Sequence, residues 1–268
     1  MDEFTRFEHE GWERVADKYD SVWAKLTTQF ISPLLTTAKI SSGLTVLDVA
    51  CGPGYVTAAA QQRGANVTGL DFSNVMITLA KKAHPGIEFI EGDAQNLPFE
   101  NESFDRVIMN FGLLHLSHPE KGCEEAYRVL RHGGIFVFTV WAAPEISPCS
   151  RIIRDAVEAH ADMNVPLPQG PPYYLFSNYD ECRQRLDKIG FSDLVFETIA
   201  AAWKVPSADF LFESERNAGV RTAGLLAQQS PEVLESIRQT IRRNAEPYAG
   251  NEGYAIPISA HVISVVKT

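Results

Sequence analysis

The segment from Leu44 to Asp71, LTVLDVACGPGYVTAAAQQRGANVTGLD, leaves the chain few folds to choose from. A β-branched run (Thr45, Val46, Leu47) ends in an acid, Asp48, and then in a glycine-rich turn, Ala50-Cys51-Gly52-Pro53-Gly54. A helix of small residues follows, and a second apolar run, Val67 to Leu70, ends in a further acid, Asp71. Strand, tight turn, helix and parallel strand in this order bring a flexible backbone close to a ligand. Glycine is expected in the turn because a Cβ would block either the backbone dihedrals or the ligand. Asp71, at the carboxyl end of the second strand, is placed to accept both hydroxyls of a ribose. The segment predicts a nucleoside-binding half-site.

Two details decide against a nicotinamide dinucleotide. The fingerprint for that ligand has a third glycine packing helix against strand, and here Thr57 takes its place. Asp48 also lies just before the turn, where its charge would repel a pyrophosphate and suit an ammonium or sulfonium instead. The segment resembles motif I of the class I S-adenosylmethionine (SAM) methyltransferases, a hydrophobic run followed by D-x-G-C-G-x-G. It departs from that pattern at Ala50, which replaces the first glycine and narrows the turn.

The resemblance continues strand by strand. Asp71-Phe72-Ser73 with Met76 matches a D-x-S-x-x-M pattern, in which Phe72 and Met76 flank the adenosine. Ser73 is a natural cap for a helix to about Ala83. The run Ile87–Glu91 predicts the third strand, and Gly92-Asp93-Ala94 before Leu97-Pro98-Phe99 matches the adenine-side motif of the same family. A fourth strand, Ser103–Asn110, delivers Asn110 and Phe111 to the same edge, followed by His115, an ionisable group able to take a proton near neutral pH. A helix opened by His118-Pro119-Glu120 leads through Gly133-Gly134, read as helix stop and strand start, into a fifth strand ending near Trp141, a candidate substrate wall.

The family implies an α/β fold: a Rossmann-like, doubly wound, seven-stranded and mostly parallel sheet, its antiparallel last strand inserted between the fifth and sixth. It also implies roles for matched residues. Asp48, Ala50, Cys51, Gly52 and Gly54 would hold the amino-acid end of SAM, Asp71 the ribose, and Phe72, Met76, Asp93 and Ala94 the adenine. Asn110 and Phe111 would complete the cofactor site, and S-adenosylhomocysteine would be the product.

Outside this core, Glu10–Lys25 spaces Trp12, Val15, Ala16, Tyr19 and Trp23 for an amphipathic helix. Its A-x-x-Y-D pattern (Ala16, Tyr19, Asp20) resembles the leader helix of small-molecule methyltransferases, where the tyrosine borders the methionine moiety of SAM. A second short helix is expected over Phe30–Ile40. After proline-rich connections and helices near Ser150–Met163 and over Tyr179–Ile189, a sixth strand runs to Val205. Ser207 then opens a helical excursion to about Ala249, before a last strand over Ile258–Val266. An insert of roughly fifty residues is too long for a loop and reads as a folded cap over the substrate, with Phe210 as a substrate contact. The expected units are an N-terminal helical segment (1–42), a core (43–206 with 254–268) and the cap (207–253).

Composition narrows the acceptor. A net charge of −10 disfavours nucleic acid. No run is apolar enough to span a membrane. The charged amino terminus lacks a signal-peptide core, which points to the cytoplasm. Four scattered cysteines point to neither metal nor disulfide, and a homodimer is compatible with all of this. The reading is methyl transfer from SAM to an O, N or C atom of a small-molecule metabolite. Its alternatives are an RNA or protein methyltransferase, and a nucleotide-dependent oxidoreductase or non-catalytic SAM-binding protein.

Overall fold

A computed structural model describes residues 1–268. The parallel strands β1 (Thr45–Val49), β2 (Asn66–Asp71), β3 (Glu88–Glu91), β4 (Phe104–Asn110) and β5 (Leu130–Trp141) are joined to β6 (Phe191–Val205), the two-residue β7 (Ala249–Gly250) and β8 (Gly253–Lys267). The sheet order is β3-β2-β1-β4-β5-β8-β6, with β7 on β8. β8 runs antiparallel between β5 and β6, as the family resemblance implies. Strand order reverses between β1 and β4, and the carboxyl ends beside such a switch point form the ligand crevice of an open α/β sheet.

The central strands are buried on both faces because helices cover both. On one side lie α4 (Ile31–Thr37) and α5 (Tyr55–Gln62), with Leu34, Leu35, Val56 and Ala60 packed on Val46, Ile108 and Val137. On the other, α7 (Pro119–Val129) and α9 (Tyr179–Ile189) set Cys123, Ala126, Cys182 and Leu186 against Leu47, Val107, Phe136 and Phe138. Phe136 and Phe138 are fully buried, each such side chain contributing about 1.5–3 kcal/mol of transfer free energy. Between β2 and β3 lies α6 (Asn74–Ala83), whose cap is the Ser73 hydroxyl accepting from the Met76 amide at 3.1 Å.

The amino-terminal segment differs from the single helix expected over Glu10–Lys25. Helix α1 spans Glu3–Val15, started by the Asp2 carboxylate accepting from the Thr5 amide at 2.8 Å. A 3-10 turn, Ala16–Lys18, and two one-turn helices, α2 (Tyr19–Val22) and α3 (Ala24–Thr27), follow. Tertiary contacts bend the segment. Trp23 stacks on Trp203 of β6 at 5.2 Å and donates to the Ala218 carbonyl at 2.8 Å, positions a straight helix would not reach.

Two further boundaries move. Helix α7 ends at Val129 and runs directly into β5, so Gly133 and Gly134 are not the helix stop. They lie in an irregular stretch where the β4–β5 register shifts. Strand β8 starts five residues before Ile258 and includes Pro257. That stretch lies beyond the last β5 partner, Ala260, where a strand tolerates proline.

The insert forms α10 (Ala208–Ala218), α11 (Arg221–Ala227) and α12 (Pro231–Ala245). Its core (Leu211, Phe212, Leu226, Ile237, Ile241) also recruits Ile152, Ala156 and Val157 of α8 (Pro148–His160). No helix is long and apolar enough to cross a membrane.

Candidate functional site

A cavity of about 170 Å³ opens at the carboxyl edge of β1, β2 and β4. Its inner end is acidic. Asp48 is fully buried; Oδ2 accepts from the Thr57 hydroxyl at 2.6 Å, and Oδ1 has no partner. Thr57, in the place of the missing third glycine, thus orients the acid. Burial without a counter-charge pushes the Asp48 carboxyl up to about 7. Asp71, 5% exposed, accepts from the Gly52 amide at 2.8 Å and the Ser73 amide at 2.9 Å. Burial outweighs these bonds and raises its carboxyl to about 6. Each of its oxygens keeps a lone pair for a further donor.

The turn between the two acids holds residues in uncommon conformations. Ala50 has φ +55°, where a Cβ costs about 1–2 kcal/mol. Its methyl fits because residue 112 is glycine: a Cβ there would stand 2.5 Å from that of Ala50. Phe111 also has positive φ, +58°, and is stacked on Trp141 at 3.9 Å. Its amide donates to Thr139 Oγ1, which donates in turn to Asn110 Oδ1, fixing the Asn110 carboxamide. Backbone strain of this kind persists where the surroundings hold it, commonly at ligand sites. Cys51, Phe72, Met76, Asp93, Ala94 and Asn110 all line the cavity, as does Tyr19. Tyr19 is hydrogen-bonded to Thr27 at 3.0 Å. Asp93 closes its own turn by accepting from the Gln95 amide at 2.8 Å.

The fit of these residues to a cationic donor rests on the unpartnered Asp48 Oδ1. A buried acid with a free oxygen and a perturbed pKa is completed by a ligand that brings positive charge or proton donors.

The outer end is assembled from distant segments. His115 Nδ1 lies 2.9 Å from Oε2 of Glu8, a fully buried residue of α1. Glu8 Oε1 accepts from Arg221 Nε at 2.8 Å, and the Arg221 guanidinium also donates to the carbonyls of Pro171 and Leu114. Burial pushes the Glu8 carboxyl up, but the His115 and Arg221 charges and hydrogen bonds outweigh it, so its net shift is downward. Trp12 packs edge-on against the His115 ring at 4.9 Å. Trp141, Tyr173, Glu215 and Thr222 complete this wall.

The amino-terminal segment is fastened at two more points, one on α1 and one on α2. Glu13 accepts from the Ser73 hydroxyl at 2.6 Å and the Val75 amide at 3.2 Å, at the amino end of α6. Asp20 accepts from the Tyr55 hydroxyl at 2.6 Å.

Two expected site residues fall outside the cavity lining. Gly54 (φ +87°) starts α5, and a Cβ on it would meet Phe89 and His84 at 2.8–2.9 Å, so its place is set by helix packing. Phe210 turns into the apolar cluster that the insert shares with α8 and β6, edge-on to Trp203 at 6.1 Å. Glu8, Thr57, Thr139, Glu215 and Arg221 were not singled out from the sequence. Thr57 alone had a positional signal, as the departure from the dinucleotide fingerprint.

Residues 47–138 match the family described as a methyltransferase domain. A demethylmenaquinone methyltransferase of Renibacterium salmoninarum is 32% identical over 166 residues, 59% of this chain and 70% of that protein. One from Clavibacter sepedonicus is 35% identical over 130 residues, 47% of this chain; this chain spans half the length of that relative. Among solved structures, a phosphoethanolamine N-methyltransferase of Haemonchus contortus, in complex with phosphomonomethylethanolamine and S-adenosylhomocysteine, superposes with a TM-score of 0.60 at 19% identity. That superposition covers all of this chain and 60% of that one, and it supports the fold.

Proposed function

The chain belongs to the class I SAM-dependent methyltransferases, in the group of the ubiquinone and menaquinone biosynthesis enzymes, and on that premise we propose that it methylates a small-molecule metabolite. The observation that carries the reading is the buried, unpartnered Asp48 oxygen, in one cavity with Asp71 and His115. SAM, when bound, supplies an electrophilic methyl on a positively charged sulfur.

The protein's own part is binding, alignment and proton handling. Asp48 and the Ala50–Gly52 turn hold the cationic amino-acid end. Asp71 takes the ribose hydroxyls, while Phe72 and Met76 wall the adenine and Asp93 accepts from its amine. Holding two reactants collinear in a site closed by α1 contributes on the order of 7–11 kcal/mol. His115, with Nδ1 held by Glu8, offers Nε2 to an acceptor that must lose a proton. Trp141 borders the acceptor. Four buried free cysteines suit a reducing compartment, which supports a cytoplasmic setting for the reaction.

Incubating the protein with isotopically labelled SAM and a metabolite extract, followed by mass spectrometry, tests this. A labelled small molecule is expected; label found only in RNA or protein, or nowhere, overturns it. His115→Ala is expected to lower kcat by about 10²–10⁴ for an acceptor that is deprotonated, with little change in KM. Unchanged rates across pH remove His115 from the reaction.

A further inference from the structure

Glu215 is an acid that this reaction does not use. It sits near the carboxyl end of α10 and lines the same cavity as Thr222, with no ion-pair partner. The nearby guanidinium, Arg221, is already bound to Glu8 and to two carbonyls. Tyr173 lies against Arg221, its ring 5.7 Å from that guanidinium, and its hydroxyl feels the charge of Glu215.

We propose that Glu215 is the anchor for a protonated amine on the methyl acceptor, gripping it at the cap while the reacting atom faces the donor. The proposal rests on the methyltransferase reading and deepens it by naming a substrate class: small aromatic or aliphatic amines. A carboxylate on a cavity wall with no basic partner is completed by a ligand that brings both a positive charge and N–H donors. Tyr173 and Trp12 also line the cavity, and aromatic rings favour a cation over a neutral group of equal size. Desolvation holds the Glu215 carboxyl up at about 7, the mark of an acid lacking its counter-charge. A neutral hydroxyl in the same place would leave that charge uncompensated.

The test uses the full chain and two probes of matched shape, phenethylamine and 2-phenylethanol, above the pH of about 7 at which Glu215 ionises. Binding is followed by ligand-observed NMR with and without S-adenosylhomocysteine, whose own binding is titrated separately. The amine is expected to bind at least about tenfold more tightly than the alcohol, the ratio one charge-assisted hydrogen bond supplies. Glu215→Gln, nearly isosteric and checked by thermal melting, is expected to abolish the preference. Glu215→Asp, which keeps the charge on a shorter arm, is expected to reduce it. Equal binding of both probes, no saturable binding of the amine, or a preference that survives in Glu215→Gln overturns the proposal. Lost S-adenosylhomocysteine binding with the amine preference intact counts instead against the donor site alone.

Discussion

Two fully buried acids, Asp48 in the cavity and Glu8 behind its wall, are in opposite electrostatic states. Glu8, under the outer wall, is fully buried yet saturated, with His115 on one oxygen and Arg221 on the other, and its carboxyl is held below the ordinary value. Asp48, at the inner end, is equally buried but has a hydroxyl on one oxygen and nothing on the other, and its carboxyl is pushed up to about 7. A saturated acid acts as a strut. An unsaturated one destabilises the unliganded protein and is relieved by ligand, which is how binding sites commonly differ from the scaffold around them.

The contrast predicts mutations of opposite sign. Glu8→Ala strands Arg221 and His115 and removes the ion pair between α1 and α11. Removing one partner of a buried ion pair typically costs roughly 3–5 kcal/mol, to be read from denaturant unfolding. Asp48→Asn removes an uncompensated charge, so the unliganded protein should keep or gain stability while SAM affinity falls. Equal destabilisation by both substitutions would erase the distinction. Asp71→Ala should weaken SAM binding roughly 10- to 100-fold, the worth of charge-assisted hydrogen bonds, measured by calorimetry; unchanged affinity rules out the ribose assignment.

A smaller effect tests the strained turn. Ala50→Gly should stabilise the protein by about 1 kcal/mol, the strain of a Cβ at positive φ less the extra freedom of glycine in the unfolded chain. Gly112→Ala should destabilise it, and less so beside Ala50→Gly, because the two Cβ atoms compete for one space. A double-mutant cycle with no coupling would refute that contact.

The two ends also differ in how far the sequence reveals them. Asp48, Asp71, Phe72, Met76, Asp93 and Ala94 lie in short motifs at consecutive strand ends, and the sheet brings them together because each βα unit repeats the last. His115 is visible for the same reason. Its partner Glu8 is not, since it comes 107 residues earlier, on a helix that pairs with Arg221 of α11. Arg221 and Glu215 belong to the α10–α11 joint, where apolar periodicity identifies the helices but not the turn between them. Phe210 lies outside the cavity lining, which that periodicity does not reveal, because it gives a buried face without saying which core it enters. The break after Val15 was hidden because Trp23 continues the helical pattern while its stacking on Trp203 bends the chain.

The pH dependence of SAM binding bears most directly on the acidic inner end. Asp71 and Asp48, with carboxyls at about 6 and about 7, are raised above their unfolded values. The folded protein therefore holds extra protons above about pH 4, and the resulting loss of stability is complete only above about pH 7. A cationic ligand needs both acids ionised, so calorimetry from about pH 5 to about pH 8 should show SAM affinity rising with pH. Protons should be released on binding in the middle of that range, and both trends should weaken in Asp48→Asn. An affinity that stays flat or falls as pH rises, with no proton release, would contradict an acidic edge built to receive a positively charged methyl donor.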